Sequence, residues 1–599
     1  MKFLLYPDRD VAQPVAVSGD LGRRISHVSG RPWIVGRWAD EECITATTRE
    51  FRVVLLGTVG RSVLELQDWL DAGGHAPDFA SIYRAVPGAY FTLISSSTGE
   101  TQAFGTLSSF RRLSYSFNPE VPVASNSLRL LVEMLRPELR EDEVPLSLVA
   151  PRAPWPLGEA SYWRGIENVL PTHRLRASAT GPFRVEQRWS LPQQHVPQSD
   201  LTAALTTALH DAVEARARHG RSSLSSDLSG GMDSTSLAFF ANEHVDRLTT
   251  MHLGISVEMN DDAAWADAAA RALRSTHIRV SHDELPRWFA GWNATEERFV
   301  AEPDASIRTE GMHRAMAERL RDGGCTIHLA GSGADELFYP DEAVLPGLRR
   351  ESPAALYGAA RGMATLHRWS MRKTLRAALD TSDASTWLIA ETARLGAKDF
   401  ERPAPAWDVP FSMSPWATEA ALSTVRRAIV ERAIGHQLET GFATDAVAYG
   451  MITRNGQIHR ALDEQTREVG VRYEAPFLDD AVIELALQVR LVDRLNTKRF
   501  KPGLAAAARG VVPEPFLNRR SKGDYISLIY AAFNEHRRDI AAEVDEFRLA
   551  QRGLIDAERL GVFLRSMQPR AQHFFPFEFL LATERWLRSV DRITLTSER

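Results

Sequence analysis

Residues 225–240 read SSDLSGGMDSTSLAFF. A short run of strand character ends in two glycines and an aspartate, and passes directly into an apolar helix start. A turn of this kind aims backbone N–H groups at a negative group, at the positive end of a helix. The spacing is neither the GxxxxGK[ST] loop nor GxGxxG. Taken alone, the stretch is also what an ordinary glycine-rich strand-to-helix turn looks like. The rest of the chain decides between the two.

At 599 residues the chain is too long for one ordinary domain. A net charge of −6 is small for this length, and no basic run forms a nucleic-acid face. The start MKFLLYPDRD turns polar too soon for a signal peptide, and no segment approaches about eighteen consecutive apolar residues, so no membrane partner is expected. Cys43 and Cys325 form neither a disulfide framework nor a metal cluster, which suits a reducing cytoplasm. Of 71 basic residues only six are lysine, and three of these, Lys498, Lys501 and Lys522, cluster near the C-terminal end. A lysine kept in an arginine-biased chain marks a place for a compact point charge, unless the clustering is chance.

Residues 1–195 read as mainly β, with short apolar runs between turn signals; LISSSTGETQAFG is a hairpin turning at Thr98-Gly99. GRSVLELQDWLDAG is a helix, and RWSLPQQHVPQSD reads as a linker. A helix capped by Ser199 or Asp200 follows, with Leu201, Leu205, Leu209 and Val213 as its stripe and Gly220 as its end. Strands then alternate with helices as far as CTIHLAGSGADE, the pattern of a doubly wound parallel sheet whose ligands sit beyond the carboxyl ends of the strands. Both SGGMDS and GSGADE fall at such ends. Asp233 and Asp335 are hard carboxylates suited to Mg²⁺ beside ATP phosphates, although an acidic pair such as Asp335-Glu336 also suits a helix N-terminus by itself. From about 340 the pattern is helical. Trp369, Trp387, Trp407 and Trp416 read there as packing residues.

SGGMDS (229–234), GSGADE, APFLDD and RRSKGDY occur in the order and approximate register of the asparagine synthetase superfamily, and the resemblance covers nearly the whole chain. It implies an α/β protein of two parts. Residues 1–195 would form a degenerate Ntn-type, glutamine amidotransferase-like αββα domain. Residues 196–599 would form a doubly wound parallel sheet of the ATP-pyrophosphatase (PP-loop) type, with a helical insert at about 340–450. The glutaminases of this superfamily need a nucleophilic Cys directly after the initiator Met. Position 2 here is Lys2 and Cys43 is internal, so glutamine hydrolysis is not expected. Two branches that lack this Cys use an amine already present in the substrate: β-lactam synthetases and lasso peptide cyclases. The length, EMNDDAAWADAAARAL and RRSKGDY resemble the second branch. Ser332 stands where β-lactam synthetases carry Tyr and asparagine synthetases carry Glu, and it is assigned to the substrate pocket.

The resemblance further implies ATP and Mg²⁺ as cofactors, adenylation of an Asp or Glu side chain of a precursor peptide, and attack by that peptide's N-terminal amine. A leader peptidase and a leader-recognition protein are the implied partners. Leu228, Ser229, Gly230, Gly231, Asp233, Ser234, Leu253, Ala330 and Gly331 would bind ATP, and Asp233 and Asp335 would hold the metal. Lys522 matches the catalytic lysine, while Glu474, His459 and Glu464 are the candidate bases. Other readings are a β-lactam synthetase-like or other amide-forming ligase, and a catalytically inactive peptide-binding scaffold.

If Lys522 acts as a point charge on the phosphoanhydride, Lys522→Arg fails nearly as badly as Lys522→Ala in steady-state turnover, with ATP affinity little changed. An arginine variant at most of the wild-type rate returns Lys522 to a solvated loop charge.

Overall fold

The computed structural model describes the chain except residues 10–21, 75–76, 180, 193–194, 221–222, 255–260, 295–298, 305, 340–344, 397–406, 436–442, 496–499, 520–522, 524–525, 569–570 and 598–599. The N-terminal part is built from two six-stranded antiparallel sheets. Their central strands, such as Phe51–Val59 and Gly88–Ser96, are largely apolar because both faces are covered, whereas edge strands such as Arg23–Ser26 and Arg184–Gln187 are polar. On Phe51–Val59, Val54 and Leu56 meet Phe3, Leu5 and Trp33 of the other sheet, while Val53 and Leu55 meet Leu66 and Leu70 of the helix Val63–Ala72. On Lys2–Leu5 the outward Leu4 joins the cluster of Leu128 and Leu131 from the helix Leu128–Leu135. Period-two alternation on both sheets thus produces four layers, αββα. The expected hairpin is present: Gly88–Ser96 pairs with Thr101–Phe104, and Gly99 takes φ +82° at the turn.

The second part carries one parallel sheet in the spatial order Thr276–Ser281, Thr249–Gly254, Leu224–Asp227, Ile327–Leu329, Arg472–Glu474. In chain order this is 3-2-1-4-5, doubly wound, so the winding reverses between Leu224–Asp227 and Ile327–Leu329. That reversal opens a crevice at the carboxyl ends of the two central strands. The stretch from 345 to 468 contributes helices that include Pro353–Leu366, Ala384–Thr392, Glu419–Gly435 and Ala443–Glu468. Trp387 and Trp416 are core residues there. Among the described residues no helix is long and apolar enough to cross a membrane.

Two local readings change in three dimensions. The helix expected from Ser199 or Asp200 starts at Gln198, because the carboxylate of the distant Asp493 accepts the Gln198 N–H at 3.1 Å and supplies the cap. The Pro- and Gln-rich stretch before it is a packed strap. Trp189 and Leu191 enter the core, Val196 bridges to Val489, and the Arg188 side chain is fully buried, donating to Gly105 O at 3.0 Å and to Asp480 at 3.3 Å.

The two parts are joined by a buried chain of alternating charges. Glu42 holds Arg467 at 2.5 Å, Arg467 holds Asp463 at 2.8 Å, and Asp463 holds Arg111 at 3.0 Å. Arg111 then holds Glu474 at 3.1 Å, Glu474 holds Arg216 at 3.2 Å, and Arg216 grips Asp479 through both terminal nitrogens. Thr58 adds a hydroxyl donor to Glu474 at 2.8 Å. Gly456, on the helix Ala443–Glu468, permits the approach: a Cβ there would lie 1.7 Å from Ser108 O. Removing one member leaves its neighbours charged and unpaired inside the protein. Arg216→Leu should therefore cost about 3–5 kcal/mol, measured as a shift of the urea unfolding midpoint. A midpoint unchanged from wild type would show that water reaches the interface.

Candidate active site

Asp227 ends a strand, and the chain turns through Leu228-Ser229-Gly230-Gly231 into the helix Met232–Asn242. Gly230 sits at φ +82°, and a Cβ there would meet Asp262 O at 2.6 Å, so only glycine fits. Ser234 reaches back: its hydroxyl accepts from Ser229 N at 3.0 Å and pairs with the Ser229 hydroxyl at 2.9 Å. Gly231 is the N-cap, and no side chain closes that helix end. The loop is therefore held by its own serines, with the N–H groups of the first turn left for an anion. Leu228 is buried and donates its N–H to Met251 O at 2.7 Å, which fixes the loop to the neighbouring strand that carries Leu253.

Across the crevice, Ala330 donates to Glu474 O at 2.9 Å, and the chain turns through Gly331, Ser332 and Gly333 into the helix Ala334–Phe338. The two turns nearly touch: a Cβ on Gly331 would lie 3.2 Å from Asp233 Cβ and 3.3 Å from Ser234 N. This brings Asp233 and Asp335 to one place, and both grip the same ammonium. Lys501 Nζ contacts Asp233 Oδ1 and lies 2.7 Å from Asp335 Oδ1. Lys501 is fully buried, at φ 44° before the helix Pro502–Ala507. The left-handed backbone costs a side-chain-bearing residue roughly 1–2 kcal/mol. Here two ion pairs and the Phe500 ring, 5.1 Å from Nζ, hold it in place.

Two further groups shape the crevice. Arg519 donates to Gly230 O at 2.7 Å, to Asp261 at 2.6 Å and to Asp262 at 2.5 Å, and Gly523 N donates to the same Asp262 at 3.1 Å. Lys522 lies outside the described residues; Arg519 and Gly523 are tied to Asp262 at the start of the helix Asp262–Leu273. Burial pushes the Glu336 carboxyl up from its ordinary value, with Asp335 adding to the effect against the pull of Asn455 and Lys501.

The sequence-derived bases fall elsewhere. Glu474 is fully buried in the interdomain charge chain; burial opposes its ionisation, yet Arg111 and Arg216 outweigh it and hold the carboxyl at about 2. It is a structural anion, with little tendency to accept a proton. His459 is packed edge-on against Phe110, ring centroids 5.1 Å apart, and burial lowers it to about 4. Glu464 lies beside a separate cavity between the N-terminal sheets and the long helix Ala443–Glu468. Cys43 lies on the strand Cys43–Thr47, where burial raises its thiol, the opposite of an activated nucleophile.

Sequence reasoning did not assign Lys501, although the lysine cluster in an arginine-rich chain pointed at it. Replacing it with methionine leaves two carboxylates facing one another. We expect Lys501→Met to keep its melting temperature within a few degrees and to lose about a hundredfold or more of ATP-dependent pyrophosphate release. Full activity in this variant would make Lys501 a packing residue.

Among solved structures, the chain aligns with NMN synthetase from Francisella tularensis at 18% identity and a TM-score of 0.17, covering 24% of this chain and 58% of that one. It aligns with NH3-dependent NAD synthetase from Campylobacter jejuni at 10% identity and a TM-score of 0.17, covering 41% of this chain and 100% of that one. Glutamine phosphoribosylpyrophosphate amidotransferase from B. subtilis aligns at 12% identity and a TM-score of 0.18, covering 55% of this chain and 75% of that one. Scores this low add nothing to the sheets described above. No curated protein matches the chain. Residues 204–588, well over half of the 599, match the asparagine synthase family, and the chain belongs to that family.

Proposed function

We propose that this member of the asparagine synthase family, an ATP-dependent amide-forming ligase, is a lasso peptide cyclase. The observation that carries the ligase reading is the convergence of Asp233, Asp335 and Lys501 on one point beside a phosphate-type loop, at the reversal of the parallel sheet. The peptide reading rests on the resemblance of RRSKGDY and EMNDDAAWADAAARAL to cyclase sequence, and on Lys2 in place of the glutaminase nucleophile.

A carboxylate is a poor electrophile because its leaving group would be oxide. In the proposed first step, a carboxylate oxygen of an Asp or Glu side chain attacks the α-phosphorus of ATP, and the bond to the β-phosphate oxygen breaks. The N–H groups after Gly230 receive the departing pyrophosphate, and Lys501 supplies positive charge at the same end. Two hard carboxylates suit Mg²⁺, which takes one or two such ligands beside substrate phosphates and would neutralise phosphate charge when bound by Asp233 and Asp335. In the second step the peptide's N-terminal amine attacks the acyl carbon, AMP leaves with the bonding electrons, and the amine gives up a proton. Glu336 is the carboxylate we assign to that proton, since it adjoins Asp335 and burial raises its proton affinity above that of a free carboxylate. The helices between 345 and 468 would wall the pocket in which the peptide is folded before closure, so that both reacting ends are held at high effective concentration. A leader peptidase and a leader-recognition protein would deliver the peptide.

Incubating the protein with a linear core peptide, ATP and Mg²⁺ should give a product 18 Da lighter by mass spectrometry, the loss of about one water expected when one amide forms. Asp233→Ala and Asp335→Ala should abolish pyrophosphate release, whereas Glu336→Gln should retain peptide-dependent ATP–pyrophosphate exchange and lose product. Pyrophosphate release with no peptide dependence would remove the cyclase reading and leave the ligase. Turnover of a small β-amino acid would favour the β-lactam synthetase-like alternative, and the absence of any ATP cleavage would favour a scaffold.

A further inference from the structure

A cavity of about 200 Å³ lies between the N-terminal sheets and the long helix Ala443–Glu468, and it shares no residue with the Asp233, Asp335 and Lys501 cluster. Its wall is rich in arginine, and these guanidinium groups are paired with one exception. Arg112 and Arg460 share Glu302, at 2.7 and 3.2 Å, while Arg585 holds Asp304 at 2.5 Å. Arg152 holds Asp408 and Arg129 holds Glu133. Arg454 makes no hydrogen bond and no ion pair among the described residues. Its guanidinium carbon lies 5.2 Å from the centre of the Phe579 ring. Glu578, the acid with most influence on it, is already held by Arg308 at 3.1 Å. The side chain is half-buried, and the partial loss of water lowers the guanidinium from its usual range.

Tyr162 lines the same cavity. Its ring leans on Trp586, with centroids 4.8 Å apart, and its hydroxyl has no hydrogen-bond partner among the described residues. An unpaired planar fork and an unpaired hydroxyl donor, both half-buried and facing one cavity, leave polar groups that a ligand could complete.

We propose that this cavity is a binding site for a carboxylate, with Arg454 gripping it through two N–H groups and Tyr162 donating a third hydrogen bond. Arginine's rigid fork matches a carboxylate in bidentate fashion. A single uncompensated cation balances one negative charge, and the neighbouring carboxylates of Glu302 and Asp304 disfavour a doubly charged phosphate. The carboxylate belongs either to a small free acid or to the C-terminus of a peptide. The proposal does not depend on the cyclase reading.

The test is titration calorimetry on the full chain with three probes: butyrate, pentaalanine with a free C-terminus, and pentaalanine amide. Binding of butyrate alone identifies a free acid, whereas binding of the free peptide but not its amide identifies a terminus. In either case Arg454→Gln should weaken the probe at least tenfold and Tyr162→Phe several-fold. The glutamine variant should melt no lower than wild type without probe, because Arg454 makes no ion pair among the described residues that the substitution would break. The tyrosine variant keeps the ring on Trp586 and serves if Arg454→Gln does not fold. Failure of both carboxylate probes to bind overturns the proposal. So does binding that survives Arg454→Gln or Tyr162→Phe, and so does equal binding of the amide.

Discussion

The buried run from Glu42 through Arg467, Asp463, Arg111, Glu474 and Arg216 to Asp479 sets the arrangement of everything else in this protein. Each charge has lost its water, so each must find its opposite within a bond length or two. Such a chain tolerates no sliding of one part against the other. It also explains why the N-terminal sheets persist without an activated cysteine. They supply Arg111, Thr58 and Glu42, which lock the helix Ala443–Glu468 and the strand Arg472–Glu474 in place. That strand pairs with Ile327–Leu329, and Ala330 donates to Glu474 O, so the clamp is one residue away from the crevice at the strand ends.

The crevice uses the same device with a different outcome. Asp233 and Asp335 share one buried ammonium, leaving the trio with a net negative charge and one carboxylate half exposed. Lys501 offsets the repulsion between the two acids. Its left-handed backbone is strained, and the strain is held by the contacts that define the site. Arg454 is the counter-example in the interdomain cavity, a half-buried cation that makes no ion pair among the described residues.

Several parts of this were readable from residue order. SGGMDS and GSGADE are local: glycines permit the turns, and serines and aspartates face inward whatever surrounds them. The αββα layering came from the resemblance to the superfamily; residue order by itself implied only a mainly β N-terminal part. Glu474 and His459 were misread because the property that decides a base, its proton affinity, depends on distant groups. Arg111 and Arg216 lie 363 and 258 positions away from Glu474. Lys501 was visible as a lysine in an arginine-biased chain, but Asp233 lies 268 positions from it, and no spacing rule links them.

Sequence alone determined the elements and their order, because helix, strand and tight turn are settled by neighbours within a few positions. It therefore determined that two acidic turns would stand at adjacent strand ends. Tertiary structure decided which charges meet. It gave Asp233 and Asp335 a lysine to share, gave Glu474 to the domain interface, and left Arg454 facing a cavity. The reason is physical: the cost of burying a charge depends on what lies within a few ångströms of it, and only the folded chain sets those distances.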